Sequence, residues 1–108
     1  MEIKDHLITE SDTKLFENLV DSPEVMVNHA VLPAGSGFDA HPTDSNVIIQ
    51  IRRGELTLTF ADGTSQHFGS GQLVEIPYMT LAKIDNHATS PLDLIVTKAP
   101  NPKSIARG

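Results

Sequence analysis

Apolar and polar residues alternate over short distances along most of the chain. The clearest case is residues 55–60, with the sequence ELTLTF, in which every second side chain is apolar. A period of two is typical of a strand with one buried face. Residues 61–64, ADGT, then predict a tight hairpin turn, since Asp-Gly favours positive φ. Other segments of strand type are 24–32, 46–53, 64–68, 73–76, 80–86 and 92–98.

These strands are short and are separated by turn residues, a pattern typical of an antiparallel sandwich or barrel. Helix has one candidate, residues 9–20, where Ser11 or Asp12 can cap the first turn and Leu15 and Leu19 have helical spacing. An edge strand is an equally good interpretation of this segment. The pattern therefore predicts an all-β fold.

Length and composition limit the possible classes. A chain of 108 residues has the size of one domain. The absence of cysteine excludes disulfides, thiolate metal sites and cysteine nucleophiles. The first ten residues contain no apolar run, so they predict no signal peptide, and the longest aliphatic run, residues 47–49, is far too short to span a membrane. We expect a cytoplasmic protein with no membrane partner.

Charge is distributed unevenly. The net charge is −6, and residues 1–24 hold seven acidic side chains against two basic ones. The rest of the chain is nearly balanced, with seven acidic and six basic residues. Because an acidic surface repels a phosphate backbone, we expect no nucleic-acid partner.

Two stretches carry turn residues at fixed offsets. Residues 35–54, GSGFDAHPTDSNVIIQIRRG, begin and end with glycine and contain His41. Residues 71–86, GQLVEIPYMTLAKIDN, begin with glycine, end with Asn86 and contain Pro77. Gly, Pro and Asn at such offsets are turn chemistry and therefore report on the fold.

These offsets resemble the two short motifs of the cupin superfamily, usually written G-x5-H-x-H-x3-E-x6-G and G-x5-P-x-G-x2-H-x3-N. The resemblance covers about residues 25–98. It implies a double-stranded β-helix, the jelly-roll barrel of the cupins, in a single domain. The chain then divides into an acidic N-terminal arm at 1–24, a cupin barrel at 25–98 and a C-terminal tail at 99–108, which we expect to be ordered only in part.

The resemblance fails at the positions that hold a metal in the family. His41 falls on the first histidine, but Thr43 replaces the second histidine, Val47 the glutamate and Ala82 the last histidine. A stable divalent metal site requires three or four nitrogen or oxygen donors. We therefore expect no metal at the usual position and no cofactor.

In the family the ligand positions point into the barrel, so residues of matching parity should line the same cavity. Such a wall is mostly apolar with a few polar groups, as in many small-molecule pockets, although the apolar residues can equally be packed core. We expect Tyr78 at the barrel mouth, and His29 can reach the cavity if its parity is inward. The pocket candidates are His41, Thr43, Val47, Ile49, Ile51, Tyr78, Thr80, Ala82, Ile84 and His29.

Other polar residues have both functional and surface interpretations. His41 is either a general base or ligand anchor, or a histidine bonded to Asp39, Asp44 or backbone. Asp39, Asp44 and Asp85 are candidates for carboxylate chemistry, but lie near turns where solvated aspartates are routine. Neighbouring Arg52 and Arg53 point to opposite faces of a strand, which favours surface pairing with Glu55 or Glu75 over an anion site.

Three functions remain open at this point. The first is a cupin that binds a small molecule in an apolar barrel cavity without the usual metal. The second is a cupin-type enzyme, an isomerase, lyase or dioxygenase, that uses His41 with atypical partners. The third is a structural or interaction domain with a filled barrel. A convergent His29–His41 pair would favour the enzyme, and His41 alone in an apolar cavity would favour the binder.

Assembly is suggested by the arm, which carries apolar residues at Leu15, Phe16, Leu19 and Val20 among its acids. Such residues need a surface to cover. A closed twofold dimer protects an open strand edge. We therefore expect a homodimer, with the arm contributing to the interface.

Overall fold

Two antiparallel sheets stack against each other and enclose a core of aliphatic side chains. The computed structural model describes residues 2–107, with side chains described through residue 104. Residues 1 and 108, which belong to the predicted arm and tail, lie outside the described residues. Within that range the elements are β1 (Leu15–Asp21), β2 (Met26–Leu32), β3 (His41–Pro42), β4 (Asn46–Arg53), β5 (Glu55–Phe60), β6 (Ser65–Gly69), β7 (Leu73–Ile76), β8 (Leu81–Asp85), β9 (Leu92–Ala99) and the helix α1 (Pro102–Arg107).

The sheets combine consecutive strands, β1 with β2 and β5 with β6, with strands that are distant in sequence. One has five strands in the order β1-β2-β9-β4-β7, and the other has four in the order β3-β8-β5-β6. Within each sheet, every pair of neighbouring strands is antiparallel. The all-β prediction is confirmed, and each predicted strand segment lies within two residues of an observed strand at both ends.

The predicted hairpin turn at residues 61–64 joins β5 to β6. Gly63 has a φ of 84°, and the Phe60 N–H donates to the Thr64 carbonyl at 2.9 Å. The expectation that β5 has one polar exposed face needs a correction. Thr57 is almost completely buried, and its hydroxyl hydrogen-bonds to Nδ1 of His67 on β6 at 3.0 Å.

The arm segment 9–20 is not helical. Its second half forms β1, which pairs along β2 with a bulge between Asn18 and Val20. The helix interpretation is therefore wrong and the edge-strand interpretation is right. Tertiary pairing decides this case, since the side-chain spacing allowed both.

The tail is anchored to the barrel. Asn101 is buried, and its Nδ2 donates to Asp21 at 2.6 Å and to the Ser22 carbonyl at 2.9 Å. Lys103 also pairs with Asp21 at 3.0 Å. Among residues 2–107, α1 is the one helix and spans six residues, so no helix in this range is long enough to cross a membrane.

Side chains at the inner faces fill one end of the barrel, which we call the closed end. It comprises six side chains that are almost completely buried, namely Ile49, Ile51, Leu56, Leu58, Leu92 and Leu94. Register explains the cluster, since Ile51 pairs with Leu94 across β4 and β9. Each such aliphatic side chain contributes about 1.5–3 kcal/mol by leaving water.

Gly54 allows the sharp corner between β4 and β5. Its φ is 89°, and a Cβ at this position would lie 2.5 Å from the Pro91 carbonyl oxygen. A larger residue is therefore excluded both by conformation and by the neighbouring chain. This accounts for the glycine that ends the first motif.

Candidate functional site

The inner faces diverge at the opposite end of the barrel and leave a cavity of about 350 Å³. We call this region the open end. Five of the ten pocket candidates lie around it, namely His41, Thr43, Val47, Ala82 and Ile84. The remaining lining residues are Phe16, Asn28, Ala30, Phe38, Asp39, Asp44, Ile76, Val96 and Lys98.

The walls of the cavity are apolar. Val47 and Ile76 are paired residues on β4 and β7, so both point inward from the larger sheet. Ala82 and Ile84 face them from β8 on the smaller sheet. A volume near the lower end of ordinary ligand pockets and such a lining suit a compact, largely apolar molecule.

Two phenylalanines form an aromatic wall. The rings of Phe16 on β1 and Phe38 have centroids 6.5 Å apart and planes at 88°, an edge-to-face arrangement. Phe16 remains 60% exposed although it lines the cavity. A ring so exposed borders the opening and not the interior, so a ligand entering there would cover apolar surface that now faces water.

Four of the predicted pocket residues lie elsewhere on the barrel. Ile49 and Ile51 share the inward parity of Val47 but belong to the closed end, where neighbouring side chains leave no room. Tyr78 is half-exposed, and Thr80 borders a separate groove with Phe60. Parity predicts the face of a strand correctly here, but it does not predict which part of that face borders open space.

His29, the tenth candidate, points away from the cavity. It lies on the outer face of the larger sheet and is completely buried there. Its Nδ1 is 2.8 Å from Glu17 Oε1 and its Nε2 is 2.7 Å from Asp93 Oδ1. The neighbours of His29 explain this orientation, since Asn28 and Ala30 line the cavity and strand side chains alternate.

His29, Glu17 and Asp93 form what we call the outer cluster, and the N-terminal arm lies over it. The Thr9 backbone N–H, then His29 and the Thr9 hydroxyl, bond the carboxylate of Glu17 and hold the pKa of Glu17 below its ordinary value of 4.5. Arg52 contacts Asp93 at 3.3 Å and Glu10 of the arm at 3.1 Å. The cluster therefore fastens the arm to the sheet.

The arginine pair needs a correction. Arg53 pairs with Asp12 at 2.6 Å, which raises the pKa of the Arg53 guanidinium, and it also bonds the Ser11 carbonyl. Both arginines therefore contact the arm, and neither pairs with Glu55 or Glu75 as predicted. A register shift between Ile51 and Arg53 breaks the strict alternation of β4, which lets the two side chains reach the same segment.

The histidine at the open end has one ring nitrogen without a hydrogen-bond partner among the described residues. His41 Nδ1 donates to the Asp39 carbonyl oxygen at 2.9 Å, because a carbonyl can only accept. In the neutral ring Nε2 is then an acceptor, and no described residue donates a hydrogen bond to it. His41 can therefore accept a hydrogen bond from a ligand at the mouth of the cavity.

The hydroxyl of Thr43 is already used by the fold. It donates to the Pro77 carbonyl oxygen at 2.5 Å and accepts from the Thr80 N–H at 2.9 Å. Thr43 thus ties β3 to the turn that carries the second motif. It presents its methyl group, and not a free hydroxyl, as a contact for a ligand.

The three aspartates do not form one carboxylate site. Asp44 pairs with Lys98 at 3.0 Å, while Asp85 lies 3.7 Å from Lys83 and 3.6 Å from His87. Asp39 contacts His41 through its backbone carbonyl, and not through its carboxylate. In residues 2–104, no three His, Cys, Asp or Glu side chains are arranged to hold a metal ion.

The residues at the family's metal positions also do not suit a metal by their chemistry. His41 is directly paired with Ala82 across β3 and β8, so one potential ligand faces a methyl group. Val47 is aliphatic and the Thr43 hydroxyl is occupied. A single imidazole does not make a stable divalent site.

Seven residues that line the cavity were neither pocket nor carboxylate candidates in the sequence analysis, namely Phe16, Asn28, Ala30, Phe38, Ile76, Val96 and Lys98. Phe16 lay in the segment with two interpretations, and Phe38 lies in a loop without periodicity. Asn28 and Val96 are a register pair on β2 and β9, and both point inward. Apolar residues on both faces of β2 hide its parity, so pairing with β9 is the signal that was missing.

Comparison with known proteins agrees with this architecture. No family model matches the chain. The uncharacterized protein MJ0764 of Methanocaldococcus jannaschii is 35% identical over 96 residues, which is 89% of this chain and 83% of that protein. Its crystal structure, described as an RmlC-like cupin family protein with a double-stranded β-helix fold, has a TM-score of 0.86 over 94% of this chain and 93% of that one, at 34% identity. The chain belongs to the cupin superfamily.

More distant cupins share the fold alone. An RmlC-like cupin protein from Desulfovibrio desulfuricans is 18% identical, with a TM-score of 0.77 over 92% of this chain and 98% of that one. A cupin superfamily protein from Desulfitobacterium hafniense is 14% identical, with a TM-score of 0.72 over 86% and 83%. The resemblance drawn from the two motifs is therefore confirmed.

Proposed function

We propose that this cupin binds a small molecule in the cavity at its open end, without the metal that the family usually holds there. The observation that carries the proposal is the cavity itself, with apolar walls and polar groups at its rim. Pockets of this kind are typical of small-molecule sites. A cavity of this size also argues against the hypothesis of a filled barrel with a purely structural role.

The enzyme alternative receives less support. It required His29 and His41 to converge, but His29 is held on the outer face by Glu17 and Asp93. His41 hydrogen-bonds a backbone carbonyl and has no carboxylate partner among the described residues. A general base is usually oriented by a second group of this kind, so binding is the better-supported function.

A fragment screen observed by ¹⁵N–¹H NMR tests the proposal. We expect apolar fragments to shift resonances around the cavity in the wild-type protein. Ala82→Phe, which projects a ring into the cavity, should abolish those shifts, because Ala82 is buried and lines it. Ala61→Phe, on an exposed turn, is the matched control and should leave them unchanged. Shifts that persist in Ala82→Phe, or no shifts at all, would refute the proposal.

We also propose that the protein is a homodimer formed partly by the arm. Ile3 and Leu7 are 87% and 91% exposed, and Leu73 and Ile48 on the outer face of the larger sheet are exposed as well. Apolar residues on an arm and on an adjacent sheet face can cover each other between two copies. Leu15, Leu19 and Val20 are partly buried in the protein's own chain, so the interface would use the part of the arm before β1.

Sedimentation equilibrium at micromolar concentration tests this assembly. We expect twice the 11.7 kDa mass of the chain, and dissociation in the double variant Ile3→Asp and Leu7→Asp. Ala61→Asp with Thr89→Asp adds the same charge at other exposed positions and should stay dimeric. A wild-type monomer would disprove the dimer, whereas a dimer that survives both substitutions in the arm would move the interface elsewhere.

A further inference from the structure

Asn28 is the most buried amide side chain at the cavity. It lies on β2, is only 7% exposed and lines the apolar walls beside Ala30 and Val96. Neither of the two cupin motifs includes it. An amide in such a place needs hydrogen-bond partners for both its oxygen and its nitrogen.

The hydrogen bonds of Asn18 fix the orientation of this amide. Asn18 Nδ2 lies 3.2 Å from the Val20 carbonyl oxygen, which can only accept, so that atom is a nitrogen donor. The same nitrogen lies 2.9 Å from Asn28 Oδ1. Two nitrogen donors would repel one another, so Asn28 must present its oxygen to Asn18. Its Nδ2 is therefore directed away from Asn18.

The Nδ2 of Asn28 has no hydrogen-bond acceptor among the described residues. In the same part of the chain, every fully buried side-chain nitrogen or oxygen has a partner. The Nδ2 atom must therefore border open space, and the open space next to Asn28 is the cavity. A ligand that covered this donor without accepting from it would leave it unsatisfied in apolar surroundings, which is costly, so the cavity favours a molecule that brings an acceptor.

The charges around the cavity indicate which acceptor. Lys98 is paired with Asp44, and Asp39 adds a second carboxylate without a counter-ion among the described side chains. The rim therefore does not favour an anion. A neutral oxygen is the acceptor that agrees with both the donor and the rim.

We propose that the cavity selects neutral, compact aromatic molecules that carry a carbonyl oxygen, with the oxygen accepting from Asn28 Nδ2 and the ring against Phe16 and Phe38. This inference rests on the proposed binding function and adds the chemical class of its ligand. The ring contacts provide most of the buried area, and Asn28 distinguishes the ketone from a hydrocarbon of the same shape.

Two probes of nearly equal shape test the inference. Acetophenone carries the carbonyl oxygen, and α-methylstyrene replaces that oxygen with a methylene group. We expect the wild-type protein to bind acetophenone about fivefold more tightly, the effect of one neutral hydrogen bond. Titration by ¹⁵N–¹H NMR gives both affinities. It should also show the Asn28 side-chain NH₂ resonances shifting with acetophenone alone.

Asn28→Asp is the decisive variant, because its carboxylate can still accept from Asn18 but turns an acceptor toward the cavity. It should remove the preference for acetophenone while α-methylstyrene binds as before within about twofold. Asn28→Ala should give the same loss of preference without a new charge. Gln50→Glu, which makes the same change of charge on the outer face of β4, should keep the wild-type preference.

The outcomes separate the ligand class from the binding function. If both probes bind equally to the wild-type protein, the assignment of Asn28 is refuted and the binding function stands. If neither probe binds at millimolar concentration, the ligand class is refuted, and the fragment screen decides separately whether the cavity binds any small molecule. A preference for acetophenone that persists in both Asn28 variants would move the polar contact to another residue and also refute the assignment.

Discussion

The closed and open ends of this barrel share the strands β4 and β9 and their inward parity, yet only one end is packed. At the closed end Ile51 pairs with Leu94, and both are almost fully buried. At the open end Val47 pairs with Lys98, while β2 beside β9 carries Asn28 and β8 in the facing sheet carries Ala82. Smaller and more polar side chains at the same parity thus leave the space that a ligand can occupy.

Isoleucine truncations at the two ends should differ most. Ile51→Ala is expected to lower the free energy of unfolding by about 2–5 kcal/mol, since it creates a void in a packed cluster. Ile84→Ala should cost only about 1–2 kcal/mol, because Ile84 is partly exposed and already borders the cavity. Urea denaturation measures both values. Equal losses would mean that the open end is packed as tightly as the closed end.

A metal site introduced at the open end should make the stability of the protein depend on bound metal. Thr43→His, Val47→Glu and Ala82→His together restore the ligand set of the cupin motif around His41. We expect the metal-free variant to lose on the order of 2–3 kcal/mol through the buried glutamate. Added Zn²⁺ should raise its melting temperature strongly and leave the wild-type value unchanged.

Calorimetry checks the graft independently of stability. Tight Zn²⁺ binding by the triple variant would support the assignment of these three positions to the ligand set. A folded variant that binds no metal would show that the four positions do not converge. Substituting Thr43 and Val47 but keeping Ala82 is the matched control, since His41 would still face a methyl group.

The outer cluster, in contrast to the open end, should give the protein an acid-sensitive arm. The folded-state pKa of Glu17 is lowered, so the stability it contributes is present above pH 4.5 and is lost as the pH falls through its folded-state pKa. We expect melting temperatures to fall below pH 4.5. In Glu17→Gln this fall should be smaller. A variant with the wild-type pH profile would mean that the pairing with Thr9 and His29 does not stabilise the fold.

The smallest expected effect concerns the turn beside the open end. Met79 has a φ of 62° at the place where the cupin motif has glycine, and its side chain is exposed. Met79→Gly relieves the left-handed strain but adds freedom to the unfolded chain, so we expect a gain of at most about 1 kcal/mol. Met79→Val, with a branched Cβ, should be destabilising. Thermal denaturation that ranks valine above glycine would contradict this interpretation.

The sequence predicted the fold better than the site. Strand periodicity and the Gly, Pro and Asn offsets are local features, and they led to the strands and the cupin family. The site depends on what faces what across strands that are far apart in sequence. Ile49 looked like a pocket residue because parity cannot tell which end is packed, and His29 remained ambiguous because both faces of β2 are largely apolar.

Asn28 shows the same limit for a cavity residue that the sequence analysis did not predict. Its side chain becomes meaningful only once β2 is paired with β1, which brings Asn18 opposite it, and with β9, which brings Val96 beside it. The strand register shifts between Asn18 and Val20, and the Val20 carbonyl accepts from Asn18 Nδ2, which orients both amides. None of these contacts follows from spacing along the chain.

The metal content of the purified protein decides most directly whether the open end works without a metal. Elemental analysis should find transition metal far below one equivalent per chain, in the wild-type protein and in His41→Ala alike. Close to one equivalent of iron, manganese, nickel or zinc in the wild-type protein, lost in His41→Ala, would contradict a metal-free site. His41 would then be a metal ligand with partners that the two motifs do not supply.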